Sequence, residues 1–289
     1  MTTIRDALEQ GTAALTLVGQ TPKPRLDAQV LLSHVLDVER TTLYTYPERL
    51  LTEQQEQQFS QLIERRKLGE PIAYLTGHKE FFGLDFLVDR RVLIPRPETE
   101  LLVETALNII REQLAGARVP VVADIGTGSG IIPISLAVQE PRLPYLYASD
   151  ISSDALAVAR LNCQRHAVEE RVRLLQGDLL APLPEPIDLL TANLPYVGTD
   201  EMEELTPEVH AYEPHLALFS GHQGLDAMRR FFTEAQQPGK LKPDAVMLLE
   251  IGYQQRELLS NLLSELWPHA TVTFSKDYAG WDRLLQISL

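Results

Sequence analysis

From residue 119 onward, short apolar runs alternate with helical patterns, and that alternation restricts the fold more than any other feature. Strands are expected over 119-VPVVADIG-126, 146-LYASD-150, 172-VRLLQGD-178, 187-IDLLTAN-193 and 245-AVMLLEIG-252. Helices are expected from about Gly130, over 152–167, over 225–237 and over 253–266. Near-continuous apolar strands separated by helices indicate a parallel sheet covered on both faces. The final runs, 270–277 and 281–289, are separated only by Tyr278-Ala279-Gly280. A link that short permits only an antiparallel pair. The expected fold class is therefore α/β, with a doubly wound sheet of seven strands.

The preceding residues read differently. Residues 1–75 carry helical patterns: Ile4, Leu8, Leu15 and Val18 near one face, a second helix over 25–36 and a glutamine-rich third over 53–69. Basic residues and Gly69 close the third, as suits a helix C-terminus. Phe81, Phe82, Phe86, Val88 and Val92, interrupted by Gly83 and Asp89-Arg90, suggest a hairpin. Pro97 is expected to open a helix with Glu98 and Glu100 in its first turn. The expected organisation is a helical domain over 1–75, a hairpin linker over 76–95 and an α/β domain over 96–289.

The loop 124-DIGTGSGIIP-133 lies between the first α/β strand and its helix. Gly126, Gly128 and Gly130 allow a tight turn and close approach of the backbone to a ligand. Pro133 is tolerable only in the first helical turn, which places the helix start near Gly130. The loop therefore sits at the carboxyl end of a strand, where open α/β sheets bind ligands. Its spacing, G-x-G-x-G, departs from the G-x-G-x-x-G dinucleotide fingerprint. Asp150 ends the second strand, where a carboxylate can accept from two ribose hydroxyls, in NAD or in S-adenosylmethionine. Asp178 ends the third and is placed to reach an adenine amine.

The fourth strand abuts the first in such a sheet, so Asn193 should face the same ligand. An amide nitrogen is a poor nucleophile because its lone pair is delocalised. Two acceptors, the Asn193 side-chain oxygen and the Leu194 backbone carbonyl, could hold its N–H groups and aim it at an electrophilic methyl. Pro195 stiffens the turn, and Tyr196 offers a flat face to a planar amide. The contribution is orientation, worth several kcal/mol.

Together, 126-GTGSG-130, Asp150, Asp178 and 193-NLPY-196 resemble class I S-adenosylmethionine-dependent (Rossmann-like) methyltransferases acting on planar amides or amines. That group usually reads Asn-Pro-Pro-Tyr; here Leu194 replaces the first proline. The segments 81-FFGLDFLVDRRVLIPRPETELLVE-104, 212-YEPHLALFSGHQGLD-226, 247-MLLEIGYQQ-255 and 277-DYAGWDRLL-285 resemble the HemK/PrmC family of release factor glutamine N5-methyltransferases, over nearly the whole chain. The resemblance implies S-adenosyl-L-methionine as cofactor and class I peptide chain release factors as partner, modified at the glutamine of their Gly-Gly-Gln loop. It implies that Gly126, Thr127, Gly128, Ser129, Gly130, Asp150, Asp178, Leu179 and Asn193 hold the cofactor. Asn193, Leu194, Pro195 and Tyr196 would bind and orient the glutamine, and the N-terminal helices would recognise the substrate. Arg96 and Glu98 lie near the expected mouth without an assigned role.

Charge narrows the partners. The chain of 289 residues has formal net charge −14. Residues 1–75 hold 8 basic and 10 acidic side chains, and the remainder holds 18 and 30, giving −2 and −12. Phosphate-tracking surfaces are basic, so no direct nucleic-acid partner is expected. Asp200, Glu201, Glu203, Glu204, Glu208 and Glu213 form an acidic run without Lys or Arg, read either as a solvated surface or as a rim attracting a basic protein loop. The single cysteine, Cys163, excludes an internal disulfide. No apolar run approaches the roughly 20 residues of a membrane span, the N-terminus lacks a signal-peptide core, and the seven histidines lack metal-ligand spacing. A cytoplasmic monomer without metal is expected. Competing readings are glutamine methylation of a ribosomal protein, adenine N6 methylation of nucleic acid, and a non-catalytic cofactor-binding module.

Overall fold

The computed structural model describes residues 2–204 and 206–289, with the side chains of Glu203 and Glu204 outside the described set. It divides into two compact units, one gathering residues up to His78 together with Thr206–Tyr212, the other Lys79–Leu205 and Glu213–Leu289.

The first unit is helical: α1 (Ile4–Val18), α2 (Pro24–Leu36), α3 (Arg40–Thr45), α4 (Glu53–Lys67) and α5 (Ile72–Thr76). Thr3 and Asp6 form a capping box at α1, and Thr52 and Gln55 form one at α4. Each box satisfies backbone N–H groups that a helix start leaves unpaired. Ile4 and Leu15 are buried as their spacing indicates, whereas Val18, expected on the same face, is exposed. The remainder of that face is made by Ala7 and Gly11. A Cβ on Gly11 would lie 2.8 Å from Phe59 Cζ, so glycine lets α4 approach α1. The short helices α3 and α5 carry no periodicity long enough to be read from sequence. Arg66 is buried and donates to Asp27 Oδ2 at 2.8 Å, to the Glu70 carbonyl at 3.0 Å and to Glu208 Oε1 at 2.5 Å. Glu208 stands on a short helix, Pro207–Tyr212, that belongs to this unit.

The second unit begins within β1 (His78–Phe81), which pairs with β2 (Leu84–Leu87) in a two-stranded sheet. Its turn, Phe82-Gly83, has φ of 52° and 74°, the positive pair that suits a tight hairpin. Phe81 and Phe86 are buried in one core with Leu102, Val103 and Ala106. A 3₁₀ turn, Pro97–Thr99, leads into α6 (Glu100–Ala115), so Glu98 precedes the α-helix expected to contain it.

The large sheet comprises β3 (Val122–Ile125), β4 (Leu146–Asp150), β5 (Val172–Gln176), β6 (Ile187–Ala192), β7 (Leu241–Glu250), β8 (Thr271–Lys276) and β9 (Asp282–Ser288). Its order is β5-β4-β3-β6-β7-β9-β8. β3, β4, β5, β6 and β7 pair in parallel, and β9 is antiparallel to both β7 and β8. The seven-stranded α/β expectation holds. In register, Val122 pairs with Leu189 and Ala123 with Leu190. Val122 and Leu189 enter one core, and Ala123 and Leu190 the other, as side chains alternating across a sheet must. The first core takes residues from α6, α7 (Ile131–Gln139) and α8 (Ser153–Arg165). The second takes residues from α9 (Asp226–Ala235) and α10 (Arg256–Leu266). The switch in order between β4-β3 and β6-β7 opens a crevice at the strands' carboxyl ends. At the other end of β6, buried Asp188 pairs with Arg118 and with Lys242 (2.7 Å) and accepts from Val121 N–H at 2.7 Å. That carboxylate anchors the sheet away from the crevice.

Candidate active site

One cavity lies over the carboxyl ends of β3, β4 and β6. Its wall includes Gly126, Thr127, Gly128 and Ser129, with Asp150, Asp178, Leu179, Asn193, Leu194 and Pro195. Arg96, Thr99 and Arg230 also line it. The cavity wall thus gathers residues from four loops, those that follow β3, β4, β5 and β6.

The glycine loop is fastened to β4. The N–H groups of Gly126 and Thr127 both donate to the Ser149 carbonyl, at 2.8 and 2.9 Å. Gly128 N–H donates to Asp150 Oδ2 at 2.8 Å, while Asp150 Oδ1 accepts from Ser152 N–H at 2.9 Å. A carboxylate offers about four acceptor positions, so each oxygen keeps capacity for a hydroxyl. Burial pushes the Asp150 carboxyl above its ordinary range, opposed by these backbone N–H groups. Gly126, Gly128 and Gly130 all have positive φ. A Cβ on Gly128 would meet nothing within 4 Å, whereas one on Gly130 would meet Ile134 Cδ1 at 2.9 Å. Gly130 is not among the cavity-lining residues. It caps α7 and gives Ile134 and Ala159 the space to pack beside it. Pro133 stands in the first turn of α7, as its missing N–H requires.

Asp178 lines the cavity, but its carboxylate is paired with Arg230, a partner invisible to local sequence. Leu179 has φ of 44°, and its carbonyl accepts from Ser149 Oγ at 3.1 Å, which turns the residue onto the cavity wall. The Leu194 side chain is buried, and its Cδ2 lies 3.2 Å from the Cβ position of Gly126. Leucine at this position thus fills the space beneath the loop.

Tyr196 is not among the lining residues. Its ring packs against the core containing Phe231 and Leu249, and its hydroxyl donates to Glu250 Oε1 at 3.1 Å. The Tyr196 hydroxyl is thus held on the core side, at the end of β7. Glu250 also accepts from Thr99 Oγ1 at 2.5 Å, and Asn193 Nδ2 donates to Thr99 Oγ1 at 3.3 Å. Glu213, expected as part of an acidic run, is buried. It accepts from Ile94 N–H at 3.1 Å and from Arg96 Nη2 at 2.5 Å. With half-buried Glu208 paired to Arg66, two of the run's six carboxylates are engaged by arginines rather than standing free on a rim. Cys163 is buried in the first core, and burial pushes its thiol up to about 12.

Residues 6–77 match the PrmC N-terminal domain family, and residues 99–209 match the methyltransferase small domain family. A release factor glutamine methyltransferase of Moorella thermoacetica is 42% identical over 282 residues, covering 97% of this chain and 96% of that one. The chain belongs to the release factor glutamine methyltransferase family. A second relative of the same name, from Koribacter versatilis, is 41% identical over 254 residues and covers 87% of each chain. Among solved structures, the hMettl16 catalytic domain in complex with a MAT2A 3′UTR hairpin superposes with TM-score 0.57. It shares 16% identity over 78% of this chain and 81% of that one, a likeness of fold. Family membership makes the protein an S-adenosylmethionine-dependent methyltransferase. The cavity fits that cofactor: an open side over Gly128, an acceptor at Asp150 and an apolar wall at Leu179. Among the described residues, no helix is long and apolar enough to cross a membrane.

Proposed function

We propose that the protein transfers a methyl group to the side-chain amide nitrogen of the glutamine in the Gly-Gly-Gln loop of class I peptide chain release factors. The observation that carries this reading is Asn193 at the end of β6, on the wall of the same cavity as Asp150 and the glycine loop. Bound S-adenosylmethionine supplies an electrophilic methyl on a sulfonium. Asn193 Oδ1 and the Leu194 carbonyl accept the two N–H groups of the substrate amide and hold its nitrogen in line with that methyl. Transfer would form an N–C bond as the donor's C–S bond breaks, leaving the electron pair on sulfur and passing the nitrogen's proton to water. Pro195 stiffens the turn carrying these acceptors, and holding reactants in line is worth several kcal/mol.

Asp150 binds the ribose hydroxyls, and Leu179 packs on the adenine. Asp178, held by Arg230, offers its remaining lone pairs to the adenine amine. The helical unit recognises the release factor. The relatives named release factor glutamine methyltransferase support this substrate over a ribosomal protein or nucleic acid, and the −12 of residues 76–289 also counts against nucleic acid. The protein acts as a cytoplasmic monomer in this reading. Incubation with radiolabelled S-adenosylmethionine and an unmethylated release factor is expected to label that factor and not its loop Gln→Ala variant. Equal labelling of both, or of neither while the cofactor binds, contradicts the proposal.

A further inference from the structure

Glu250 is a buried carboxylate with no place in the chemistry above. It lies at the last position of β7, neighbour of β6 in the sheet, and is 2% exposed. Two hydroxyls converge on it: Thr99 Oγ1 reaches Oε2 at 2.5 Å and Tyr196 Oη reaches Oε1 at 3.1 Å. Thr99 is itself fully buried, and its oxygen is the partner of Asn193 Nδ2 at 3.3 Å. Three elements distant in sequence thus meet behind Asn193: the turn before α6, the end of β6 and the end of β7.

The proton inventory gives this chain a direction. An ionised carboxylate only accepts. A hydroxyl has one proton, so once Thr99 donates to Glu250 it can only accept from Asn193. A side-chain amide must then turn its NH₂ toward Thr99 and its oxygen away. Nitrogen and oxygen of an amide are distinguished by such networks, and here two hydroxyls converge on Glu250, each donating to a different carboxylate oxygen.

We propose that Thr99 and Glu250 are positioning residues that set which end of the Asn193 amide faces the cavity. The inference rests on the reading of Asn193 as an acceptor for the substrate amide. With Thr99 acting as acceptor, Asn193 Oδ1 is free for a substrate N–H. With that constraint removed, the Asn193 amide can reverse and set its own N–H groups against those of the substrate, donor against donor. Tyr196 stabilises the same carboxylate, which gives its hydroxyl a purpose without contact to the substrate. Burial pushes the Glu250 carboxyl above its ordinary range, a shift opposed by the Thr99 hydroxyl, Arg283 and the Tyr196 hydroxyl and reinforced by Glu98.

Thr99→Val tests this, with Thr99→Ser as its control. Thr99→Val is expected to lower kcat at least tenfold, with KM for the release factor and Kd for S-adenosylmethionine each within threefold of wild type. Thr99→Ser, which keeps the hydroxyl, is expected to recover most of the kcat. A loss of melting temperature in Thr99→Val with kcat retained would reduce Thr99 to a structural residue and overturn the inference. If wild-type protein fails to methylate the release factor, the substrate reading fails and the amide orientation is still measurable. A strong nuclear Overhauser cross-peak between the Asn193 side-chain amide protons and the Thr99 methyl is expected in wild type. A weak or absent one overturns the inference.

Discussion

Glu213 and Arg96, 117 residues apart in sequence, form an ion pair of 2.5 Å on the cavity side of the fold. Glu213 also takes the Ile94 N–H, so one buried carboxylate fixes the backbone and the side chain of the segment before α6. Removing one partner of such a pair costs about 3 kcal/mol. Glu213→Ala is expected to lower urea stability by about that amount and to raise KM for the release factor, because Arg96 loses its place on the wall. Glu213→Gln keeps an acceptor for Ile94 and is expected to have a smaller effect on both. Urea unfolding and steady-state kinetics of the two variants measure the difference.

The loop glycines divide into two kinds. Gly128 needs alanine to adopt φ of 55°, with open space around the new methyl. Gly130 adds a clash with Ile134 at 2.9 Å and a close contact with Ala159 at 3.4 Å. Gly130→Ala is expected to cost about 2–3 kcal/mol of stability, from left-handed strain plus overpacking. Gly128→Ala is expected to cost about 1 kcal/mol and to weaken cofactor binding, since the methyl enters the cavity. Thermal unfolding and calorimetric titration with S-adenosylmethionine separate the two.

Asp124 provides a pH signature. Burial pushes its carboxyl up to about 7, from an ordinary 3.8, while Thr191 donates to Oδ1 at 2.8 Å. The folded state therefore holds a proton that the unfolded state releases. Its favourable contribution is complete below about pH 4 and is lost as pH rises toward 7. At about 1.4 kcal/mol per unit, the loss is bounded near 4 kcal/mol. Asp124→Asn is expected to abolish this dependence, so that its stability relative to wild type rises between pH 4 and 7 and then levels. Chemical unfolding across that range measures the slope.

Asp150 joins loop anchoring to ligand binding. Asp150→Ala removes the acceptor of Gly128 N–H and the expected acceptor of the ribose hydroxyls. A loss of about 2 kcal/mol for charged hydrogen bonds corresponds to a Kd for S-adenosylmethionine about 30-fold higher. Calorimetric titration reads this directly.

Much of this architecture is visible in the chain itself. The strands β3, β4 and β6 are apolar runs because both faces are covered, and Gly126, Asp150 and Asn193 stand at their ends, so order along the chain implies order in the cavity. What is hidden depends on contacts between distant segments. Glu213 and Glu208 look like members of a solvated run, because nothing local reveals the arginines that pair with them. Tyr196 sits beside Asn193 in sequence, yet its hydroxyl partner is at the end of β7. Thr99 and Glu250 carry no motif, and their pairing exists only once the strands are assembled. Gly130 illustrates a subtler limit: it belongs to the ligand loop by sequence and to helix packing by geometry.

The proposed reaction depends on Asn193 orienting a release-factor glutamine for methyl transfer. Tandem mass spectrometry of an unmethylated release factor, after incubation with S-adenosylmethionine and either wild-type protein or Asn193→Ala, tests it most directly. The expected result is a methyl on the side chain of the Gly-Gly-Gln glutamine with wild type, and at least a hundredfold lower rate with Asn193→Ala at unchanged cofactor affinity. A methyl on any other residue, or an undiminished rate in Asn193→Ala, would contradict the account.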